Sequence, residues 1–525
     1  MPLLGIGILS LMGLVSITVL AFYGLMRFST EFSLSLLMDS YIQGILIFSI
    51  KQACLSTVLS VVLGYILARV LYYSPYLYGR SAFLSACLLA FVMPTLVLIT
   101  GLVSLLGRNG WLAPLLGKEW SLYGLQGILI AHIYLNTPFV IRALFLQLQT
   151  IPDSSWRLAL QLKLNPWQRW LFIEWASVRG RLLAVTGFVF ILCFNSFAVV
   201  LALGGGPQSS TFEVAIYQAL KYDFNINEAL TLAWLQFIIA GVLFAALARL
   251  SSGVWLSPDT GFYRYIPEPS NTKQVLYRVL YLFACIVLLL PILTLFTEVL
   301  DLDHARWQSM QLLKPTLITL GLSFAVAIAA VILGYLVLIP LRNAVLKKQK
   351  LQWLWEWLAL HTLVAPAMVL SVGIYILVLR TLELERWGLI IVWVLNTALL
   401  LPFVIQQLKP RILQFDAQYE RMVLTLKLTL LERLKVEWFW LRGTLGAALV
   451  LVLLLAMGEV AIFAVFGAEQ GSSLPWLIYS YASTYRLPEA ALASLILLGW
   501  CGAIVWGWEY WQSRKTPEVS DNVRN

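Results

Sequence analysis

Glu459, in the run Met457-Gly458-Glu459-Val460-Ala461, is the clearest ionisable residue deep inside an apolar stretch of this chain. A charge at the centre of a bilayer costs about 2.5–3.5 kcal/mol on insertion scales, so a carboxyl there must face other helices or a water-filled path. It either favours a cationic solute or accepts hydrogen bonds from a neighbouring helix. Asn195 stands 264 residues earlier and is its expected partner in lining a path. The remaining conspicuous charges fall in two polar blocks, one with Arg157, Lys163, Arg169 and Glu174, the other with Arg421, Lys427, Arg433 and Glu437.

Other chemistries lack their residues. No Gly-x-x-x-x-Gly-Lys-Ser/Thr phosphate loop occurs, so the chain is not expected to bind ATP by that device. His132, His361 and His304 are scattered, and the five cysteines lack the short paired spacing of a zinc site, so no metal is expected. A membrane-embedded enzyme would want His, Asp or Glu clustered near one interface.

The elements that must position these residues are membrane helices. With 525 residues, 60% hydrophobic and only 12% charged, the chain cannot cover a soluble surface of its size. About twelve stretches are long and apolar enough to span: 3–25, 44–71, 82–106, 123–144, 182–203, 229–249, 275–297, 315–341, 357–379, 387–407, 444–466 and 489–510. The first is read as a retained span because it lacks a basic leader and a small-residue cleavage site. Most Lys and Arg fall on one set of loops, which makes both termini cytoplasmic, and their spread from loop to loop excludes a nucleic-acid surface. The expected fold is therefore an all-α polytopic membrane protein.

The chain is also a tandem repeat. Pro138-Phe139-Val140-Ile141 returns as Pro402-Phe403-Val404-Ile405, Gly64-Tyr65 as Gly334-Tyr335, and Ile216-Tyr217 as Ile478-Tyr479. The expected layout is a first transmembrane half over 1–250, a cytoplasmic linker over 251–273, a second transmembrane half over 274–510 and a cytoplasmic tail over 511–525, with six spans per half in parallel topology. Each polar block follows the fourth span of its half. In the first, Asp153 to Ser155 offer a helix N-cap, and apolar residues recur at helical spacing around Ala159 until Pro166. One such helix would rest among lipid headgroups; two equivalent ones suit a symmetric partner with two sockets.

Each block resembles the coupling loop of ATP-binding-cassette importer permeases, whose pattern is Glu-Ala-Ala, three residues, Gly, nine residues, Ile-x-Leu-Pro. Arg157-Leu158-Ala159 and Arg421-Met422-Val423 take the first place, and Lys163 and Lys427 stand where the glycine would be. Val436-Glu437-Trp438 arrives one residue earlier than Ile173-Glu174-Trp175. A narrower resemblance covers nearly the whole chain. The runs Gly107 to Ala113, Tyr123 to Leu129 and Leu203-Gly204-Gly205-Gly206-Pro207 to Leu220 are similar to the thiamine importer permeases, to which iron(III) importer permeases are related. The resemblance implies a fused permease in a bacterial inner (cytoplasmic) membrane, a transport subunit without its own cofactor and not an enzyme, that imports thiamine and its phosphates or, as the alternative, iron(III); it implies two copies of an ATPase subunit, which hold ATP and magnesium, and a periplasmic substrate-binding protein as partners. On that footing the Glu459 carboxyl would favour the thiazolium cation of thiamine.

Pro94 and Pro366 sit inside the third span of each half, where a paired bend would serve either a gate or packing. The Gly204-Gly205-Gly206-Pro207 segment is expected on the outer side, as a tight turn or a contact for the binding protein. An ion-coupled secondary transporter is the competing reading; it would want several ionisable residues at mid-membrane, and Glu459 stands nearly alone.

Overall fold

The computed structural model describes residues 2–28, 38–117, 119–250, 270–303, 310–347, 349–350, 352–365, 367–379, 382–466 and 472–513. Pro366, His304, most of the expected linker and the end of the tail lie outside the described residues. All regular structure described is helical. Ten helices are long and apolar enough to cross a membrane, and two bent pairs bring the total to as many as twelve. This is the all-α polytopic architecture that hydropathy leads one to expect.

The described helices fall into two similar runs, of twelve and nine, the second without separate counterparts of three short helices of the first. The first runs α1 (Pro2–Phe28), α2 (Ser40–Tyr73), α3 (Arg80–Val92), α4 (Thr95–Leu106), the short α5 (Ala113–Leu116), α6 (Leu125–Gln149), α7 (Asp153–Gln161), α8 (Pro166–Arg169), α9 (Ala176–Phe194), α10 (Ala198–Leu203), α11 (Phe212–Lys221) and α12 (Ile226–Leu250). The second runs α13 (Asn271–Leu300), α14 (Leu313–Leu346), α15 (Gln352–Leu360), α16 (Ala367–Val378), α17 (Leu384–Thr425), α18 (Leu430–Met457), α19 (Ala461–Phe466), α20 (Leu474–Ser483) and α21 (Leu487–Ser513).

Close packing repeats with the order. A Cβ on Gly64 would lie 2.6 Å from the Val140 side chain, and one on Gly334 would lie 2.6 Å from that of Val404, so α2 on α6 and α14 on α17 each need a glycine where the backbones approach. The first helix of each series crosses to the other. Gly373 in α16 sits against the Ala21 carbonyl of α1, and Gly101 in α4 against the Pro291 carbonyl of α13, closer than any Cβ would allow. Thr294 Oγ1 donates to the Gly101 carbonyl at 3.1 Å across that second crossing. Small residues at such crossings let membrane helices gain the dispersion contacts that replace a hydrophobic driving force in lipid.

Four expected spans are interrupted in the structure. The 82–106 stretch is α3 and α4, bent by 103° at Met93-Pro94, and the corresponding pair around α15 and α16 bends by 79°. Proline lacks the N–H and sterically opposes the preceding turn, so the bend exceeds a simple kink. The 182–203 and 444–466 stretches are not single spans either. A long helix arrives from the polar block, stops at Asn195 or Gly458, and α10 or α19 begins three residues later. Irregular backbone at this depth is tolerated because protein encloses it.

Candidate functional site

α7 is an amphipathic helix laid on the end of the bundle. Trp156 and Ala159 are buried, with Trp156 Nε1 donating to the Tyr72 hydroxyl at 3.0 Å, while Arg157, Leu158 and Leu162 are exposed. The helix closes with Lys163 in the left-handed region (φ 51), its N–H bonded to the Leu160 carbonyl, and with the Leu164 N–H on the Ala159 carbonyl. That is a Schellman ending, ordinarily built on glycine. In the second copy Lys427 is left-handed too (φ 50), and the Leu428 N–H bonds the Val423 carbonyl. Both lysines therefore keep the turn that the missing glycines would have made. The next helices start alike: Asn165 with Gln168, and Thr429 with Glu432, form capping boxes.

The apolar exposed positions also pair. Leu158 and Met422, Leu162 and Leu426, and Trp167 and Leu431 are each more than half exposed at equivalent places. Beneath them, two buried carboxylates anchor the blocks to the bundle. Glu174 accepts from Arg69 Nε at 2.7 Å and from the Tyr73 hydroxyl. Glu437 accepts from Arg342 Nη2 at 2.8 Å, Tyr335 OH at 2.6 Å and Arg433 Nε at 3.0 Å, and Arg342 also forks onto Asp416. Arg169 instead donates from Nε to the Leu164 carbonyl at 2.7 Å, bracing the turn.

Between Lys163 and Glu174 the first copy holds one more residue than the second does between Lys427 and Glu437. The structure shows where it went. Trp170–Trp175 is a π-helical turn joining α8 to α9, whereas α18 is regular throughout. A single inserted residue widens one turn and leaves the helix on either side in register. This overturns the pairing of Asn195 with Glu459. Past the π turn the shift is 263: Asn195 is the C-cap matched by the Gly458 C-cap, and Glu459 matches Ser196.

A cavity of about 250 Å³ lies where the breaks meet. Met93 and Pro94, His132 and Asn136, Asn195 and Phe197 line it from one half, and Phe403, Leu455 and Gly458 from the other. A Cβ on Gly458 would lie 3.0 Å from Pro94 Cα, so the two breaks are in close contact. Asn195 lines the cavity with its amide already engaged: Nδ2 donates to the Leu363 carbonyl at 3.0 Å and Oδ1 accepts from Gln236 at 3.0 Å. Glu459 is not among the lining residues. Its Oε1 accepts the Ile462 N–H at 3.0 Å at the start of α19, which is helix capping. Gly205 and Gly206 have φ of 72° and 145°, and the Gly124 N–H bonds the Leu203 carbonyl at 2.7 Å, so Gly204 to Pro207 form a tight turn against Tyr123-Gly124.

No family model matches the chain. It is 35% identical over 486 residues to the thiamine transport system permease protein ThiP of Haemophilus influenzae, covering 89% of this chain and 88% of that one. The chain belongs to the thiamine transport system permeases. The ThiP of Escherichia coli K12 is 34% identical, with 88% of each chain covered, and that of Brucella abortus strain 2308 is 31% identical, with 89% and 87% covered. A thiamine transport system permease is a transport subunit, and the apolar helices make this one a multi-pass membrane protein.

Several residues of this permease escaped the sequence reading. Arg69, Tyr73, Arg342 and Asp416 sit at or near span ends, where basic and aromatic residues ordinarily serve as interface anchors. Glu213 is fully buried and accepts the N–H groups of Ala367 at 3.0 Å and Met368 at 3.1 Å, so a carboxyl of the first half caps a helix of the second. The available signal was one acidic residue in the apolar run from Thr211 to Ala219.

Proposed function

We propose that this chain is the membrane subunit of an ATP-driven importer that carries thiamine across the bacterial inner membrane, with both termini cytoplasmic. Two copies of an ATPase subunit, which bind ATP and magnesium, engage the blocks around α7 and the end of α17. A periplasmic thiamine-binding protein delivers the solute on the opposite face. The observation that carries this reading is the matched pair of left-handed lysine turns at Lys163 and Lys427, flanked by equivalent exposed apolar residues. A motor with two equivalent sockets needs two such surfaces.

The mechanism is a change of state biased from outside the chain. Closure of the ATPase pair draws the two blocks together and favours one arrangement of the halves; hydrolysis releases it. The bias must amount to several kcal/mol, since a ligand shifts an equilibrium only by its differential affinity for the two states. The helix breaks at Pro94 and at Asn195 and Gly458 lie where the halves meet, and the translocation path runs along them. The halves fall at 1–250 and 274–510, joined by a cytoplasmic linker and followed by a cytoplasmic tail.

The test is reconstitution of the chain with its ATPase subunit in proteoliposomes, followed by thiamine uptake and ATP hydrolysis with and without thiamine-loaded binding protein. Stimulated hydrolysis coupled to uptake is expected. Uptake that persists without the ATPase would overturn the reading in favour of ion-coupled transport.

A further inference from the structure

The cavity at the helix breaks holds one polar group with no partner. His132, on α6, is 2% exposed, and its Nε2 is buried without a hydrogen-bond partner among the described residues. The ring is not loose. Its Nδ1 lies 3.1 Å from Ser56 Oγ, and the residue one turn on, Asn136, donates to the His132 carbonyl at 2.9 Å. A buried polar atom without a partner costs about 1–3 kcal/mol, so Nε2 is an unmet valence on a ring that lines the cavity.

The other walls are aromatic. Phe91, Phe197 and Phe403 line the space and are themselves held by rings: Phe91 stacks on Phe139 at 4.8 Å, Phe197 meets Tyr217 edge-on at 5.4 Å, and Phe403 meets Phe188 at 5.9 Å. No Asp, Glu, Lys or Arg is among the described lining residues. A cavity of about 150 Å³ already admits benzene. At about 250 Å³ this one has room for a larger planar ring system.

We infer that this cavity is an intramembrane binding site for the nitrogen heterocycle of the transported solute, with His132 Nε2 making the one directional hydrogen bond and Phe91, Phe197 and Phe403 supplying ring contacts. If Ser56 donates to Nδ1, Nε2 carries the hydrogen; if Nδ1 donates, Nε2 accepts. An aminopyrimidine edge places an acceptor ring nitrogen beside a donor amino group and satisfies either tautomer. A cationic ring is met by the aromatic faces and not by a carboxylate. The site is suited to brief occupancy, because it offers one hydrogen bond and no counter-ion. The inference rests on the reading of the chain as a thiamine importer subunit.

The experiment uses the complete transporter, this chain with its ATPase subunits in nanodiscs, and measures equilibrium binding of labelled thiamine in the absence of binding protein. His132→Leu removes the hydrogen bond together with the unpartnered nitrogen, so the complex should keep its thermal stability while thiamine affinity falls about three- to tenfold. His132→Gln, which restores a donor and an acceptor, should recover most of the affinity. Unchanged affinity in His132→Leu, or no saturable binding by an unaltered transporter that does take up thiamine, would overturn the site. Failure of the unaltered transporter to take up thiamine overturns the functional reading instead.

Discussion

The two surface blocks present the same outer face on different foundations. In the first, Pro152 stops α6 before α7, a π turn precedes Glu174, and the carboxyl is held by Arg69 and Tyr73. In the second, Asp416 stands where Pro152 does, α17 runs unbroken to Thr425, and Arg342 ties Asp416 to Glu437. The exposed pairs and the left-handed lysines nevertheless coincide. What differs lies inward, against bundle helices that each copy packs in its own way. What agrees faces outward, toward whatever contacts both.

The largest effect should separate the foundations. Arg342→Met removes the fork on Asp416 and one of the three donors to Glu437, from carboxylates whose side chains are 2% and 4% exposed, and should cost about 3–5 kcal/mol. Arg69→Met should cost less, since Arg69 is 32% exposed and Glu174 keeps the Tyr73 hydroxyl. Thermal unfolding of the purified chain in detergent reads both; equal losses would break the comparison. Next, Trp156→Ala removes a fully buried ring from beneath α7 and should cost about 3 kcal/mol. Val423→Ala, the nearest buried residue of the other block, should cost about 1 kcal/mol. Similar costs at the two sites would mean that the second block is held as tightly through its apolar side.

Outward changes should act alike. Leu162→Asp and Leu426→Asp each place a charge on an exposed apolar position and should lower binding-protein-stimulated ATP hydrolysis by about tenfold, roughly 1.4 kcal/mol of coupling, with unfolding midpoints unchanged. A large effect at one site alone would mean that the two blocks do not act alike. The smallest effect is a gain. Lys163→Gly and Lys427→Gly relieve left-handed backbone at φ of 51° and 50° and should each stabilise by about 1 kcal/mol, measured by the same unfolding assay. Destabilisation by either would show that the lysine side chain matters more than its backbone.

Much of the fold was legible because hydropathy and repeat spacing are local properties. The spans, the broken third span at Pro94 and the two amphipathic blocks follow from residues near one another in sequence. The pairing of Asn195 with Glu459 failed for a physical reason: counting along the chain assumes one register, and the π turn at Trp170–Trp175 absorbs a residue without any mark in composition. Glu459 read as a path residue because its depth was visible and its partner, the Ile462 N–H, was not.

By itself, then, the sequence determined that this is a duplicated helical membrane protein with two matched polar blocks, since lipid solvation and helical periodicity act residue by residue. Tertiary structure alone decided that Glu213 caps a helix in the other half and that His132 faces a cavity closed by Phe403. It also decided that α1 and α13 each pack across the repeat. Those partners lie 150 or more residues apart, and which side chains meet is set by packing in three dimensions, for which no local pattern is a proxy.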